Sequence, residues 1–168
     1  TYGGGVYTLV EDDNYIYIGG SSGTIRKYNK SNLSYIGQTT YGGDIRALLA
    51  DDNYIYAGGR ALYTGGTQTI RKYNKSNLSL VAESPTYGGT IYALVEDGNY
   101  IYAGGDTTQT IRKYNKSDLS YVGESPSYGG SIYALLEDDN YIYAGGDTAN
   151  TIRKYNKSNL SLVAESPT

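Results

Sequence analysis

Apolar and polar positions between residues 86 and 126 fall into four short runs separated by turn residues. Thr90–Glu96 (TIYALVE) is apolar on both faces, with Ile91, Ala93 and Val95 pointing one way and Tyr92 and Leu94 the other. That pattern fits a strand packed on both sides. Asp97-Gly98-Asn99 supplies residues that tolerate positive φ in a tight hairpin. Tyr100–Ala103 reads as a second strand, ended by the pair Gly104-Gly105, where the backbone can turn sharply or approach a neighbour closely. After a loop over 106–109, Thr110–Tyr114 and Leu119–Glu124 give a third and a fourth strand around the polar turn Asn115-Lys116-Ser117-Asp118. Turns about every ten residues suit an antiparallel meander and leave no room for helices.

The same pattern occurs four times. YIYIGG or YIYAGG begins at Tyr15, Tyr54, Tyr100 and Tyr141, and TIRKYNKS at Thr24, Thr69, Thr110 and Thr151. The units run over about 1–39, 40–85, 86–126 and 127–168, and the YGG tyrosines Tyr2, Tyr41, Tyr87 and Tyr128 are 39, 46 and 41 residues apart. Units three and four agree at 32 of 41 aligned positions. Identity that high implies recent duplication or design, and it weighs against one specialised site. Four short strands per unit of this length is the arrangement of a propeller blade. The expected fold class is therefore all-β, a β-propeller built from four-stranded antiparallel blades with four blades per chain, as a single propeller domain or a half-propeller. A sandwich would fit the strand count without requiring the same unit four times, and a solenoid of parallel coils normally has a shorter period.

Composition changes the picture of the core. The 168 residues include no Phe, Trp, Met, Cys or His, but 22 Tyr and 23 Gly. Tyrosine therefore supplies all the aromatic bulk, and each buried ring needs a partner for its hydroxyl. Tyr100, Tyr102 and Tyr114, with their copies, are expected between blades with their hydroxyls hydrogen-bonded. A net charge of −3, from 14 basic and 17 acidic residues spread evenly, gives no electrostatic case for nucleic acid or an anionic membrane. No apolar run approaches the roughly 20 residues of a membrane helix, and no signal segment is present. The chain opens on Thr1 rather than Met, as a processed chain or a piece of a longer one would. The lack of cysteine is compatible with either redox compartment.

The unit resembles the kelch repeat, whose blades carry an apolar strand ending in two glycines, then a strand ending in Tyr, a polar turn and a Trp seven positions after that Tyr. YIYAGG supplies the glycines, and Tyr114 plus seven falls on Tyr121. The equivalent pairs are Tyr28 with Tyr35, Tyr73 with Leu80, and Tyr155 with Leu162. The kelch Trp is absent from every unit. The unit is also similar to quinoprotein-like and WD-type repeats, through Gly23-Thr24-Ile25-Arg26-Lys27-Tyr28, although the Trp-Asp and Gly-His pairs of WD repeats are missing. These resemblances imply a propeller whose members include scaffolds, lectins and enzymes.

Candidate chemistry is sparse. Glu11-Asp12-Asp13-Asn14 and its copies offer oxygen ligands, but Ca²⁺ takes six to eight oxygens in a longer loop, so they read as solvated turn residues and no metal site is assigned. Arg112 is expected to stack on a Tyr or pair with an acid such as Glu96, and Lys113 to snorkel to solvent. An anion site repeated around the ring is the functional alternative. The loops between strands two and three and between blades share one face. That face collects Tyr41, Tyr87, Tyr128, Asp106, Gln109, Asp147 and Asn150, groups of the kind a sugar pocket uses and also ordinary for polar loops. Unit two alone departs from the pattern, with its loop lengthened through Arg60 and Tyr63 and with Asp44 and Arg46 in place of Thr or Ser and Tyr. These positions are either tailored to a ligand or a tolerated surface insertion.

Enzyme chemistry finds little support. Without His or Cys the base and nucleophile roles fall to Asp, Glu, Tyr, Lys or Arg. Two carboxylates suffice for glycoside hydrolysis, yet the acids here repeat by symmetry without distinct environments. No cofactor is implied, because the Trp that would stack on a quinone is absent. The reading is a non-enzymatic scaffold or binding module for a protein or glycan, with a carbohydrate-binding lectin as the alternative and a glycosidase- or lyase-like enzyme behind both.

One expectation concerns assembly. Four blades closing one ring would meet at wide wedges that demand bulk between outer strands, and Leu160–Ala164 is modest. An open half-ring would leave an apolar face bare at each end, more than soluble monomers normally expose. The expected partner is a second copy, the two chains forming one eight-bladed ring, with a compact four-bladed monomer as the competing arrangement.

Overall fold

The computed structural model describes residues 2–61, 68–147 and 151–167. It contains four antiparallel sheets of four strands, each a simple meander in chain order. The first comprises β1 (Val6–Glu11), β2 (Tyr15–Gly20), β3 (Thr24–Asn29) and β4 (Tyr35–Thr40). The second comprises β5 (Gly43–Ala50), β6 (Tyr54–Ala61), β7 (Arg71–Asn74) and β8 (Leu80–Glu83). The third has β9 (Ile91–Glu96), β10 (Tyr100–Gly105), β11 (Arg112–Asn115) and β12 (Tyr121–Glu124). The fourth has β13 (Ile132–Glu137), β14 (Tyr141–Gly146), β15 (Arg153–Asn156) and β16 (Leu162–Glu165).

The sheets stack as consecutive blades. β1 packs beside β5, β5 beside β9 and β9 beside β13, so the first strands are innermost. No comparable packing joins β13 to β1 among the described residues. Each adjacent pair of blades encloses one apolar cluster. Tyr17, Ile25, Ile45 and Leu78 lie between blades one and two, Tyr56, Ile70, Ile91 and Leu119 between two and three, and Tyr102, Ile111, Ile132 and Leu160 between three and four. The core is thus three copies of one interface.

Strict alternation along β9 does not hold. Gly105 pairs with Ile91 but Gly104 with Ala93, so the register shifts by one at Tyr92. The bulge turns Ile91 onto the face of Leu94, and both pack on blade two, while Val95 packs towards blade four. The alternation placed Ile91 and Val95 together. A bulge inserts an extra residue and reverses the faces beyond it, and the same shift occurs in β1, β5 and β13.

The glycine pair explains why the bulge is possible. A Cβ on Gly105 would stand 1.9 Å from the Thr90 carbonyl oxygen, and one on Gly104 would stand 2.6 Å from Ile132 Cγ2 of the next blade. One glycine admits the bulged neighbour strand and the other admits the next blade.

Tyr102 and its copies Tyr17 and Tyr56 are fully buried, and each donates its hydroxyl to the first Asp of its own hairpin, as Tyr102 does to Asp97 Oδ2 at 2.8 Å. Tyr100 is half-buried. Tyr114 and Tyr155 depart from the expectation, since among the described residues their buried hydroxyls make no well-formed hydrogen bond and have only the Arg112 and Arg153 side chains of their own strands beside them. Tyr73 does find one, donating to the Thr40 carbonyl at 3.0 Å.

Candidate functional site

The loop face is built around the YGG tyrosines. Tyr128 donates its amide to the Gln109 carbonyl of blade three at 2.6 Å and its hydroxyl to the Thr151 carbonyl of blade four at 2.6 Å. Tyr87 spans blades two and three in the same way, through Gln68 and Thr110, and Tyr41 spans blades one and two through Gly23 and Thr69. All three rings are buried. Burial pushes the Tyr87 hydroxyl up to about 12 and raises that of Tyr41 as well. These groups act as staples between consecutive blades.

Arginine completes each staple. The Arg112 guanidinium lies 5.3 Å from the Tyr87 ring centroid, donates to the Tyr87 carbonyl at 2.7 Å and pairs with Glu124 at 2.9 Å. Arg153 repeats this on Tyr128 and Glu165. The stacking expectation holds, but the acid is Glu124 on the neighbouring strand rather than Glu96. The cations that suggested an anion site thus face carboxylates and carbonyls of their own chain.

The remaining loop positions cap backbone. Asp106 Oδ1 accepts the Thr90 amide at 2.6 Å and its Oδ2 the Tyr92 hydroxyl at 3.2 Å. Asp147 does the same for Ser131 and Tyr133, and Ser21 serves Gly5 in blade one. In blade two this position is Arg60, which is exposed on β6 and pairs across the ladder with Asp44. Asp44 there binds Arg46 at 3.0 Å, and Arg46 lies over the Tyr7 ring at 4.1 Å. The three departures of unit two therefore go together, an Asp–Arg pair on β5 replacing the Tyr–Asp pair of units three and four. Gln109 sits in a left-handed backbone conformation, φ 54°, that aims its carbonyl at Tyr128. Tyr63 and Asn150 lie outside the described residues.

The opposite face carries the acidic hairpins. Asp12, Asp51 and Asp97 each accept two hairpin amides and a tyrosine hydroxyl. Burial pushes these carboxyls up, but the amides, the phenol and a nearby lysine outweigh it and hold them below the usual value. The first Asp of each turn is thus structural rather than simply solvated, while Asp13, Asp52 and Asp139 are exposed. Between the hairpins of blades one and two lies an open cleft of about 890 Å³ bounded by Asp12, Asp51, Lys75, Glu96 and Lys116. Lys75 and Lys116 cross it to Asp12 and Asp51 at 3.3 and 3.2 Å. No group of three or more carboxylates suited to a metal occurs among the described residues.

Sequence reasoning missed a set of buried lysines. Lys113 does not snorkel outward. Its Nζ sits 3.9 Å from the Tyr100 ring centroid and donates to the Lys157 carbonyl of the next blade at 2.9 Å. Lys27 and Lys72 make the same reach to Lys75 and Lys116. The signal was present, since Lys113 shares its strand face with the buried Ile111, as Lys27 and Lys72 do with Ile25 and Ile70.

No family model matches this sequence, and no curated protein matches it. Solved structures do. The computationally designed Ika4 protein superposes with a TM-score of 0.79 at 17% identity, over 92% of this chain and 92% of its own. The designed Ika8 protein gives 0.76 at 15% identity over 95% of this chain and 48% of its own, and the WD40 repeats of RRP9 give 0.80 at 15% over 94% and 50%. The chain thus spans about half the length of the latter two. Together with the four meander sheets, these likenesses establish the architecture alone: four blades of a β-propeller.

Proposed function

We propose that the chain is a non-enzymatic propeller scaffold whose polar groups join blades rather than hold a small ligand. The observation that carries this reading is the engagement of Tyr41, Tyr87 and Tyr128, whose hydroxyls donate to carbonyls at 2.7, 2.9 and 2.6 Å inside the blade stack. Asp106 and Asp147 are likewise turned onto backbone amides. The hairpin carboxylates repeat one environment from blade to blade, so no pair is split into an acid and a base. The likeness to designed propellers and WD40 repeats agrees with a scaffold. The kelch-like reading of the blade is supported by the positions seven apart, since Tyr28 meets Tyr35 at 5.9 Å and Tyr114 meets Tyr121 at 6.0 Å between ring centroids.

A glycan array and a panel of aryl glycosides test this reading. Neither retention nor turnover is expected. Retention abolished by Arg60→Ala would establish the lectin instead, and turnover lost in Asp106→Asn or Asp147→Asn would establish an enzyme.

A further inference from the structure

The chain makes one blade-to-blade joint three times and carries the two unmatched halves of a fourth at its ends. In the three formed joints a glycine is the socket for an isoleucine of the following blade. A Cβ on Gly19, Gly58 or Gly104 would stand 2.6, 2.7 or 2.6 Å from Cγ2 of Ile45, Ile91 or Ile132. The fourth socket, Gly145, has nothing within 4 Å among the described residues, and the matching knob at the other end of the chain, Val6, is 47% exposed.

The apolar surroundings follow the same rule. Ile25, Ile70 and Ile111 are fully buried, whereas Ile152 at the same place in blade four is 59% exposed. Leu78, Leu119 and Leu160 reach back onto the preceding blade and are buried, whereas Leu33 of blade one is 64% exposed.

The polar parts are complementary as well. Each formed joint has a lysine on the leading blade donating to a turn carbonyl of the next: Lys27 to Lys75, Lys72 to Lys116 and Lys113 to Lys157, at 2.8, 2.9 and 2.9 Å. Blade four offers Lys154, already held over the Tyr141 ring at 3.6 Å, and blade one offers the Lys30 carbonyl. The return ion pair runs from Lys75 to Asp12 and from Lys116 to Asp51. In the third joint Lys157 is paired with Glu137 of its own blade, and the groups at the corresponding places across the open ends are Lys30 and Asp138.

We propose that blade four of one chain docks on blade one of a second copy, and that two such joints about a two-fold axis close one eight-bladed ring. The two half-joints differ from each other, so a self-complementary patch is not what they build. A head-to-tail contact of this kind closes when the curvature permits. Four blades that superpose on 48% of a longer designed propeller and on 50% of the RRP9 WD40 repeats, with TM-scores of 0.76 and 0.80, follow a segment of a larger ring and leave room for about as many blades again. The inference stands apart from the scaffold reading, because a ring that binds a ligand would need the same joint.

The cysteine-free chain allows a direct test. In the formed joints the ideal glycine Cβ lies 3.0–3.1 Å from the isoleucine Cβ, within a small shift of the roughly 3.5–4.5 Å that a disulfide spans. The double variant Val6→Cys/Gly145→Cys, oxidised with diamide, is expected to run as a covalent dimer on a non-reducing gel. An internally cross-linked monomer, a ladder of higher species or an absence of cross-linking would each overturn the proposal. The second variant is Gly145→Val, whose side chain meets open space in the single chain but fills the socket needed by Val6 of the second copy. Light scattering after gel filtration should give twice the 18.2 kDa chain mass for the unaltered protein and the single mass for Gly145→Val, with unchanged circular dichroism. An unaltered protein that stays monomeric at micromolar concentration, or a Gly145→Val protein that stays dimeric, contradicts it.

Discussion

Gly104 lies so close beneath Ile132 of the following blade that a Cβ there would stand 2.6 Å from Ile132 Cγ2. Ile132 is itself fully buried and branched at Cβ, so it has little freedom to retreat. Gly104→Ala is therefore expected to cost about 1–3 kcal/mol, the usual range for an overpacked core. Gly98, in the exposed hairpin of the same blade, meets nothing within 4 Å among the described residues and does not need positive φ. Gly98→Ala should instead stabilise by about 0.4–1 kcal/mol through the unfolded chain. Urea midpoints of the two variants test the contrast, and equal losses would contradict the packing.

The buried lysines make a second prediction. Lys113 gains the Tyr100 ring and the Lys157 carbonyl but gives up hydration, and burial holds its amine below the ordinary value. A hydrogen bond from a charged donor contributes about 1.5–3 kcal/mol and a desolvated cation–π contact about 2, more than the relief of desolvation that methionine would bring. Lys113→Met should lower stability by about 1–2 kcal/mol, because it also leaves the Lys157 carbonyl without its donor. A neutral or stabilising result in chemical denaturation would show that desolvation wins.

Acid should weaken the hairpins. Asp12, Asp51 and Asp97 are held below the usual carboxyl value, against the push of burial, by hairpin amides, tyrosine hydroxyls and lysines. A depressed folded-state value means that this stability is complete above the unfolded value of about 3.9 and is lost as pH falls through the folded one. Melting temperature is expected to be level from neutral pH to about 5 and to drop below about 4. Asp97→Asn still caps the amides but loses the carboxylate that accepts the Tyr102 hydroxyl. It should cost about 1–2 kcal/mol at neutral pH and show a shallower acid slope.

Alkali acts through the phenols. Burial first, and then the hydrogen-bonded carboxylates, raise Tyr17, Tyr56 and Tyr102, and burial takes Tyr87 to about 12. Raised values mean that stability is intact below the unfolded value of about 10 and is lost as pH climbs through the folded values. Lys27, Lys72 and Lys113, lowered mainly by burial, act oppositely until about pH 10.4, where the unfolded amines have also lost their protons. The net fall should therefore set in above that pH. Phenolate absorbance rising in step with loss of circular dichroism would confirm it, and full ionisation of a still-folded chain would contradict it.

Much of the fold was legible because each blade is locally encoded. The strand at Tyr100, the Asp-Gly-Asn hairpin and the polar turn after Tyr114 all read from period and turn chemistry, and the repeat then supplied the architecture. What escaped was set by the neighbouring blade. The bulge at Tyr92 depends on Gly105 admitting the Thr90 carbonyl, a contact that binary patterning does not register. Lys113 read as a snorkelling cation because its partner, the Lys157 carbonyl, is 44 residues away. The loop tyrosines suggested a sugar pocket because composition does not say whether a hydroxyl faces solvent or a carbonyl such as that of Thr151.

The leucine of each polar turn gives the least intuitive prediction. Leu119 has φ 61°, in the left-handed region, and Leu33, Leu78 and Leu160 share the conformation with φ of 55°, 59° and 58°. A non-glycine residue there costs about 1–2 kcal/mol, yet Leu119 is fully buried between blades two and three. Burying a leucine contributes about 1.5–3 kcal/mol, so packing wins and the strain persists. Leu119→Ala loses the packing and keeps the strain, which should cost about 2–5 kcal/mol. Leu119→Gly loses the same packing but relieves the strain, and its extra chain entropy of about 0.5–1 kcal/mol only partly offsets that relief. Glycine should therefore be the milder substitution by up to about 1 kcal/mol, the reverse of the order in an ordinary strand. Paired urea melts decide the matter, and an alanine variant more stable than the glycine one would remove the strain from the account.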